Sequence, residues 1–308
     1  ICMKPTQLLV LTLSIGAALC LSSCGGEQTT SSDTDHSSAS KPKAGNAPNA
    51  SILKVGDKLF NLPSPLETAF LIEEVGGHFN EAILNRNTDA SGYSTKQSQA
   101  MNLGIYGADL GYSLIYGHSQ STFTLLATCK RLGTDLGISP AVYTGLMGRF
   151  EGNLQNRDSL LIFVSELNRM SDEYLKENES EDISALILYG GWVESLYFST
   201  VLTQELDDEK LRNRVGEQKN TLGNMVGLIE QQNVDGALDN IVTQLKELEV
   251  IFENVGDSYT WVEPQTNPEE HMTVIKSQSS VEVSPEVLAE ITAKIDDIRN
   301  SIIGSSES

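Results

Sequence analysis

Cysteine is scarce outside the N-terminus. Four are present, and Cys2, Cys20 and Cys24 all precede Gly25, which leaves Cys129 alone in the rest of the chain. No intrachain disulfide can staple the body of the protein, so stability must come from a core, which about 250 residues are enough to build. Cations are also scarce: 21 Lys and Arg face 42 Asp and Glu, for a net charge of −21. That balance argues against a nucleic-acid partner and against an anionic membrane face, both of which need a positive surface. Histidine is limited to His36, His78, His118 and His271. No Ser-His-Asp order, Cys-x-x-Cys pair, phosphate loop or EF-hand loop can be assembled. A hydrolase is therefore the least supported function class, and no cofactor is called for. The N-terminal apolar run, Leu8 to Leu21, is shorter than the ~20 residues of a spanning helix.

What that run does offer is an export signal. Met3 reads as the start, with Ile1-Cys2 left over from the reading frame, and Lys4 supplies a positive n-region ahead of the apolar stretch. The following Leu21-Ser22-Ser23-Cys24 resembles the bacterial lipobox: a branched apolar residue, two small residues, then cysteine. Small side chains admit the backbone to a peptidase, and the thiol takes the lipid. H-region length alone leaves an ordinary cysteine-containing signal peptide as the alternative. The expectation is a signal peptide over 1–23, a lipid-modified Cys24 carrying palmitate-type acyl chains, and membrane anchoring worth ~0.8 kcal/mol per buried CH₂. Lys4 is the one charged residue ahead of Cys24, so cleavage moves the net charge from −21 to −22. Gly25, where a well-known sorting rule places Asp for inner-membrane retention, favours the outer membrane of the cell envelope by that resemblance.

Residues 24–50 form a polar tether. From Gly25 to Ala50 no apolar residue exceeds Ala or Pro, so the stretch cannot contribute a core, and His36 within it is a solvated linker residue. Residues 51–308 are the globular domain. Ser64-Pro65-Leu66-Glu67 has the form of a capping box with Pro at the first helical position. Helical spacing then predicts a long helix near Thr95 to Tyr116, and a third after Ser119 with Phe123, Leu126 and Leu132 on its stripe. Ser139-Pro140 starts a fourth, Asp158 caps a fifth, and a sixth spans about Ile183 to Leu206. Leu211 to Ile229, interrupted by Gln218, and Leu238 to Val255 form an antiparallel hairpin turned by Asn233 to Gly236. Tyr259 to Val262 and Met272 to Ile275 read as two short strands around an acidic loop with Pro264 and Pro268. Ser284-Pro285 opens a last helix striped by Leu288, Ile291, Ile295, Ile298 and Ile302. The fold class is all-α: a helical bundle with a candidate internal duplication and one short β-hairpin near the C-terminus.

The most distinctive segment is Asn102 to Tyr112, with Gly104, Gly107 and Gly111 inside a helix. Each glycine costs about 1 kcal/mol relative to alanine, which implies a compensating contact. Gly107 and Gly111, four apart, make a flat strip on which another backbone could rest, and a Gly107→Leu substitution is then expected to destabilise the domain. A related segment, Leu188 to Tyr197, repeats the pattern: Asp109-x-x-Tyr112 aligns with Glu194-x-x-Tyr197. The functional reading is a ligand pocket lined by Tyr106, Asp109, Tyr112, Trp192, Glu194 and Tyr197. The plainer reading, which we prefer, is a pair of close-packed core helices whose buried acids have local donors. Cys129, beside Leu125 and Leu126, reads as a buried inert thiol.

The lipobox, the Leu62-Pro63-Ser64-Pro65 helix entry and the stretch Asn102 to Leu110 resemble uncharacterised helical lipoproteins of Bacteroidetes-type bacteria. That resemblance implies a helical, envelope-anchored protein and supplies no activity. Gly76-Gly77-His78-Phe79-Asn80-Glu81 is similar to the Gly-x-His-x-x-Glu pattern of imelysin-like periplasmic proteins. It implies a metal site at His78 and Glu81, three apart on a helix; the alternative is a surface histidine at a helix start. His118 reads as a residue of a helix-to-helix turn and His271 as exposed in an acidic loop. Two function classes remain: a non-enzymatic scaffold or binding lipoprotein, attached to the membrane by its N-terminal lipid, and a binder of a metal or small ligand.

Overall fold

The computed structural model describes residues 51–55, 58–62, 65–86, 90–140, 142–143, 152, 156–267, 272–274 and 278–304. The signal segment, Cys24, the tether with His36, Ser64 and His271 lie outside the described residues. Eight complete α-helices are described: α1 (Pro65–Glu74), α2 (Lys96–Ile115), α3 (Ser119–Asp135), α4 (Arg157–Glu177), α5 (Glu181–Leu206), α6 (Glu209–Gln232), α7 (Asp239–Phe252) and α8 (Pro285–Ile303). Pro140, Val142 and Tyr143 are also helical, which is as much of the expected fourth helix as is described. The fold is an all-α helical bundle with a short antiparallel strand pair near the C-terminus.

Local chemistry explains where the helices begin and end. Thr95 and Ser98 form a reciprocal capping box at the head of α2: Ser98 N–H donates to Thr95 Oγ1 at 3.0 Å, and Thr95 N–H donates to Ser98 Oγ at 3.3 Å. Ser284 caps α8, with Pro285 at the first helical position where its missing N–H costs nothing. The head of α4 differs from expectation. Asn156, not Asp158, is the cap, and its Oδ1 accepts from Ser159 N–H at 3.0 Å. Asn156 lies three residues before Ser159, within reach of that first-turn donor, whereas Asp158 is already inside the helix. α1 stops where Gly76 enters the left-handed region at φ +87°, which lets Gly77 N–H reach back to Ile72 O at 2.9 Å.

α5 is the central helix. It packs against α1, α2, α4, α6 and α8. By length and composition it could cross a membrane, yet 78% of its apolar window is buried inside the bundle. A helix that is apolar around its whole circumference is what a position surrounded by other helices demands. α6 and α7 form the expected hairpin, with Leu238, Ile241, Leu245, Leu248, Phe252 and Val255 all buried. The whole α8 stripe, Leu288 to Ile302, is buried as well. On α3 the core face is Leu125, Leu126, Cys129 and Leu132, while Phe123 is 41% exposed. Phe123 lies three residues before Leu126, and the stripe that buries Leu125 and Leu126 together leaves it on the edge.

The strands differ more from expectation. β1 (Ser51–Val55) and β2 (Lys58–Leu62) form an antiparallel hairpin over residues to which helical spacing assigns no element. Near the C-terminus, β3 (Gly256–Thr260) pairs with β6 (Gln278–Glu282), and β4 (Gln265–Asn267) with β5 (Met272–Val274). The two expected strands are thus not partners of each other: Tyr259 faces Ser279, and Met272 faces Asn267. The partner strands are Gln-, Ser- and Thr-rich, so apolar alternation could not reveal them.

Candidate functional site

The site begins with glycine. A Cβ on Gly104 of α2 would lie 2.0 Å from Ile187 O, and one on Gly190 of α5 would lie 1.9 Å from Met101 O. Two backbones are in direct contact here, and only glycine permits it. The expected strip of Gly107 and Gly111 is not the contact. Gly107 would meet nothing within 4 Å, and Gly111 faces the side chain of Leu66 on α1. The helix twist, rather than the number of glycines, selects which one meets the neighbour.

One turn beyond this crossing, Asp109 of α2 and Glu194 of α5 come together, each 0% exposed. Each carboxyl is close enough to shift the titration of the other. Arg299 of α8 completes the group. Its Nε donates to Glu194 Oε2 at 2.6 Å and its Nη2 to Glu194 Oε1 at 2.8 Å. Nη2 also donates to Ile83 O at 3.0 Å. Asp109 Oδ2 accepts from Asn85 N–H at 3.1 Å. The Tyr197 ring lies under the guanidinium, 4.2 Å from its carbon to the ring centre.

Charge counting sets the protonation. Two carboxylates and one guanidinium without solvent would leave one uncompensated negative charge. Burial, and then the charge of Glu194, push the Asp109 carboxyl well above the usual carboxylate range, with Arg299 pulling the other way. Burial raises Glu194 too, against the opposing pull of Arg299. Burial pulls Arg299 down, but the adjoining Glu194 charge outweighs it and keeps the guanidinium firmly protonated. The charge balance therefore leaves one proton on the pair, and Glu194, bridged through both oxygens by Arg299, is the better compensated of the two carboxyls. Asp109 Oδ1, buried and taking no donor among the described residues, is placed to carry the proton.

Of the six residues proposed as pocket lining, the structure gathers Asp109 and Glu194, and Tyr197 through Arg299. The other three bond elsewhere. Tyr106 meets Tyr93 hydroxyl to hydroxyl at 3.2 Å. Tyr112 donates to His78 O at 3.2 Å and accepts from Asn80 N–H at 3.1 Å. Trp192 Nε1 donates to Gln218 Oε1 at 3.1 Å, which also explains the polar break in the α6 stripe. A cavity of about 400 Å³ is lined by none of the six, though by Tyr93, together with Ser91, Lys96, Gln99, Arg131 and Asp135.

His78 and Glu81 are exposed and do not share a helix: His78 sits in the irregular stretch after α1, and Glu81 opens a 3₁₀ turn, Glu81–Ile83. The double glycine, with Gly76 in the left-handed region, ends α1 before His78. Among the described residues no three His, Cys, Asp or Glu side chains are placed to hold a metal ion. Glu81 Oε1 instead accepts from Ser121 Oγ at 3.3 Å, and Ser121 Oγ lies 2.9 Å from His118 Nδ1. His118 is the N-cap residue of α3. Cys129 is buried, and burial raises its thiol.

Sequence reading missed Arg299, Ile83 and Asn85. A signal for Arg299 existed: it follows Ile295 by four and precedes Ile302 by three, which puts a cation on the apolar face of α8. A charge in that position needs a buried acid. No protein-family model, curated protein or solved structure matches this chain.

Proposed function

We propose that this chain is an envelope-anchored lipoprotein whose helical domain has a non-enzymatic scaffold or binding role. The anchor rests on Leu21-Ser22-Ser23-Cys24 following an apolar stretch and a lysine. The role of the domain rests on one observation: its buried carboxyl pair is sealed from solvent and tied to neighbouring elements. Glu194 is bridged through both oxygens by Arg299, and Asp109 accepts from Asn85 N–H. Carboxyls so engaged, with no exposure to solvent, hold helices together and have no free face for a substrate. The outer membrane is the proposed destination, on the strength of Gly25 after the cysteine.

Metabolic labelling with a fatty-acid analogue tests the anchor. The parent chain takes up label and fractionates with membranes; Cys24→Ala does neither. Equal labelling of the two chains refutes the lipid assignment. Retention of the Cys24→Ala chain on membranes, despite lost label, would show that another contact holds it there.

A further inference from the structure

Residues 77–86 run as a strap tied to α2, to the head of α3 and to α8. Five of the hydrogen bonds that pin it come from tyrosines and from the ionic cluster. Three involve tyrosines: Tyr116 donates to Gly77 O at 2.8 Å, and Tyr112 makes the two bonds described above to His78 O and Asn80 N–H. The other two come from the ionic cluster: Arg299 to Ile83 O, and Asn85 N–H to Asp109. Phe79 of the strap lies with its ring centre 5.5 Å from that of Tyr112 and 4.4 Å from that of His118. Tyr112 in turn packs on buried Phe198 at 5.1 Å. Lifting the strap would uncover this aromatic face.

We propose that Asp109 and Glu194 share a single proton and that this proton latches the strap, being released when the strap opens. The groups facing Asp109 are Glu194 and Tyr197 on α5, Arg299 on α8, Cys129 on α3 and Tyr106 on its own helix. Burial pushes both phenols and the thiol up, so they stay neutral, while Arg299 stays charged. Among these groups, only the carboxyls can change charge near neutral pH. With the strap closed, the retained proton makes the cluster neutral. With it open, water reaches Asp109, the carboxyl returns to the ordinary range near ~4, and the proton leaves.

The sign follows from linkage. The closed state binds one more proton than the open state, so opening becomes about tenfold easier per pH unit above the ordinary carboxylate range. The slope ends where Asp109 ionises with the strap still closed.

Hydrogen–deuterium exchange of residues 77–86 in the full chain, corrected for the intrinsic pH dependence, reads this directly. The parent should lose about tenfold in protection per pH unit from about pH 5. Asp109→Asn should show no such slope: its amide can accept from Asn85 and donate to Glu194 but cannot ionise. Equal slopes in the two chains overturn the proposal. Infrared spectroscopy of the unsubstituted chain provides a check that needs no variant. The carbonyl band of a protonated carboxylic acid should be present at neutral pH, where exposed carboxyls are ionised; its absence overturns the shared proton and the latch with it.

Discussion

Two helix pairs in this bundle are held by opposite means. In the α6–α7 hairpin, side chains of leucine, isoleucine and phenylalanine separate the backbones and fill the space between them, as in ordinary ridge-into-groove packing. In the α2–α5 pair, glycines let the backbones touch, and the next turn holds a carboxyl pair and an arginine. The hairpin gains its stability from apolar area, which tolerates variation in shape. The central pair gains it from close approach and a neutralised charge cluster, which tolerate little. The difference also bears on pH: the fully buried side chains of the hairpin seam named above are apolar, with half-buried Glu249 at its edge, whereas the central pair holds a proton.

The strongest way to break the comparison is at Arg299. Arg299→Leu strands Glu194 without its counter-ion, and removing one partner of a buried pair typically costs about 3–5 kcal/mol. The loss should be smaller in acid, because Glu194 can then take up a proton; urea melts of the full chain at two pH values measure both effects. Leu245→Ala in the hairpin, at a fully buried position, should cost about 3 kcal/mol. Its penalty should not change with pH beyond what the parent shows, and a penalty that shrinks in acid would contradict the division drawn here. Gly190→Ala comes next. Its Cβ meets a backbone oxygen that cannot move aside cheaply, so about 1–3 kcal/mol of overpacking outweighs the propensity gained. The smallest effect has the opposite sign: Gly107→Ala enters open space and should raise stability by up to about 1 kcal/mol. Thermal melts of these two glycine variants sharpen the contrast, and equal shifts would mean that the helix contact is not at Gly190.

Much of the helical scaffold was legible because its signals are local. The Thr95 to Tyr116 helix, the α6–α7 hairpin and the α8 stripe each carry a period or a cap that needs no distant partner. The β1–β2 hairpin was legible in principle: two short apolar runs, Ile52 to Val55 and Leu59 to Leu62, flank Gly56-Asp57, a two-residue turn signature. The runs are short beside the helical pattern that follows, and so carry a weaker signal. The paired acids at Asp109 and Glu194 were legible from the repeated glycine, acid and tyrosine pattern. Their partner was not, because Arg299 lies 105 residues beyond Glu194, in a helix whose stripe is otherwise apolar.

The amino-acid order by itself determined most of the helix boundaries (though not the cap of α4), the absence of a disulfide from the body of the chain, and the presence of acids and glycines on α2 and α5. Caps, periodicity and composition act over a few residues, so these features follow without knowing the fold. Only the tertiary structure decided that Gly104 rather than Gly107 meets the neighbouring backbone, that Arg299 neutralises Glu194, and that Ile83 and Asn85 are tied to the same cluster. Those choices depend on where helices distant in sequence cross and how each is rotated. Crossing and rotation are set by packing the whole core at once, because an unpaired charge or a clashing Cβ in any one arrangement costs more than local preference can supply.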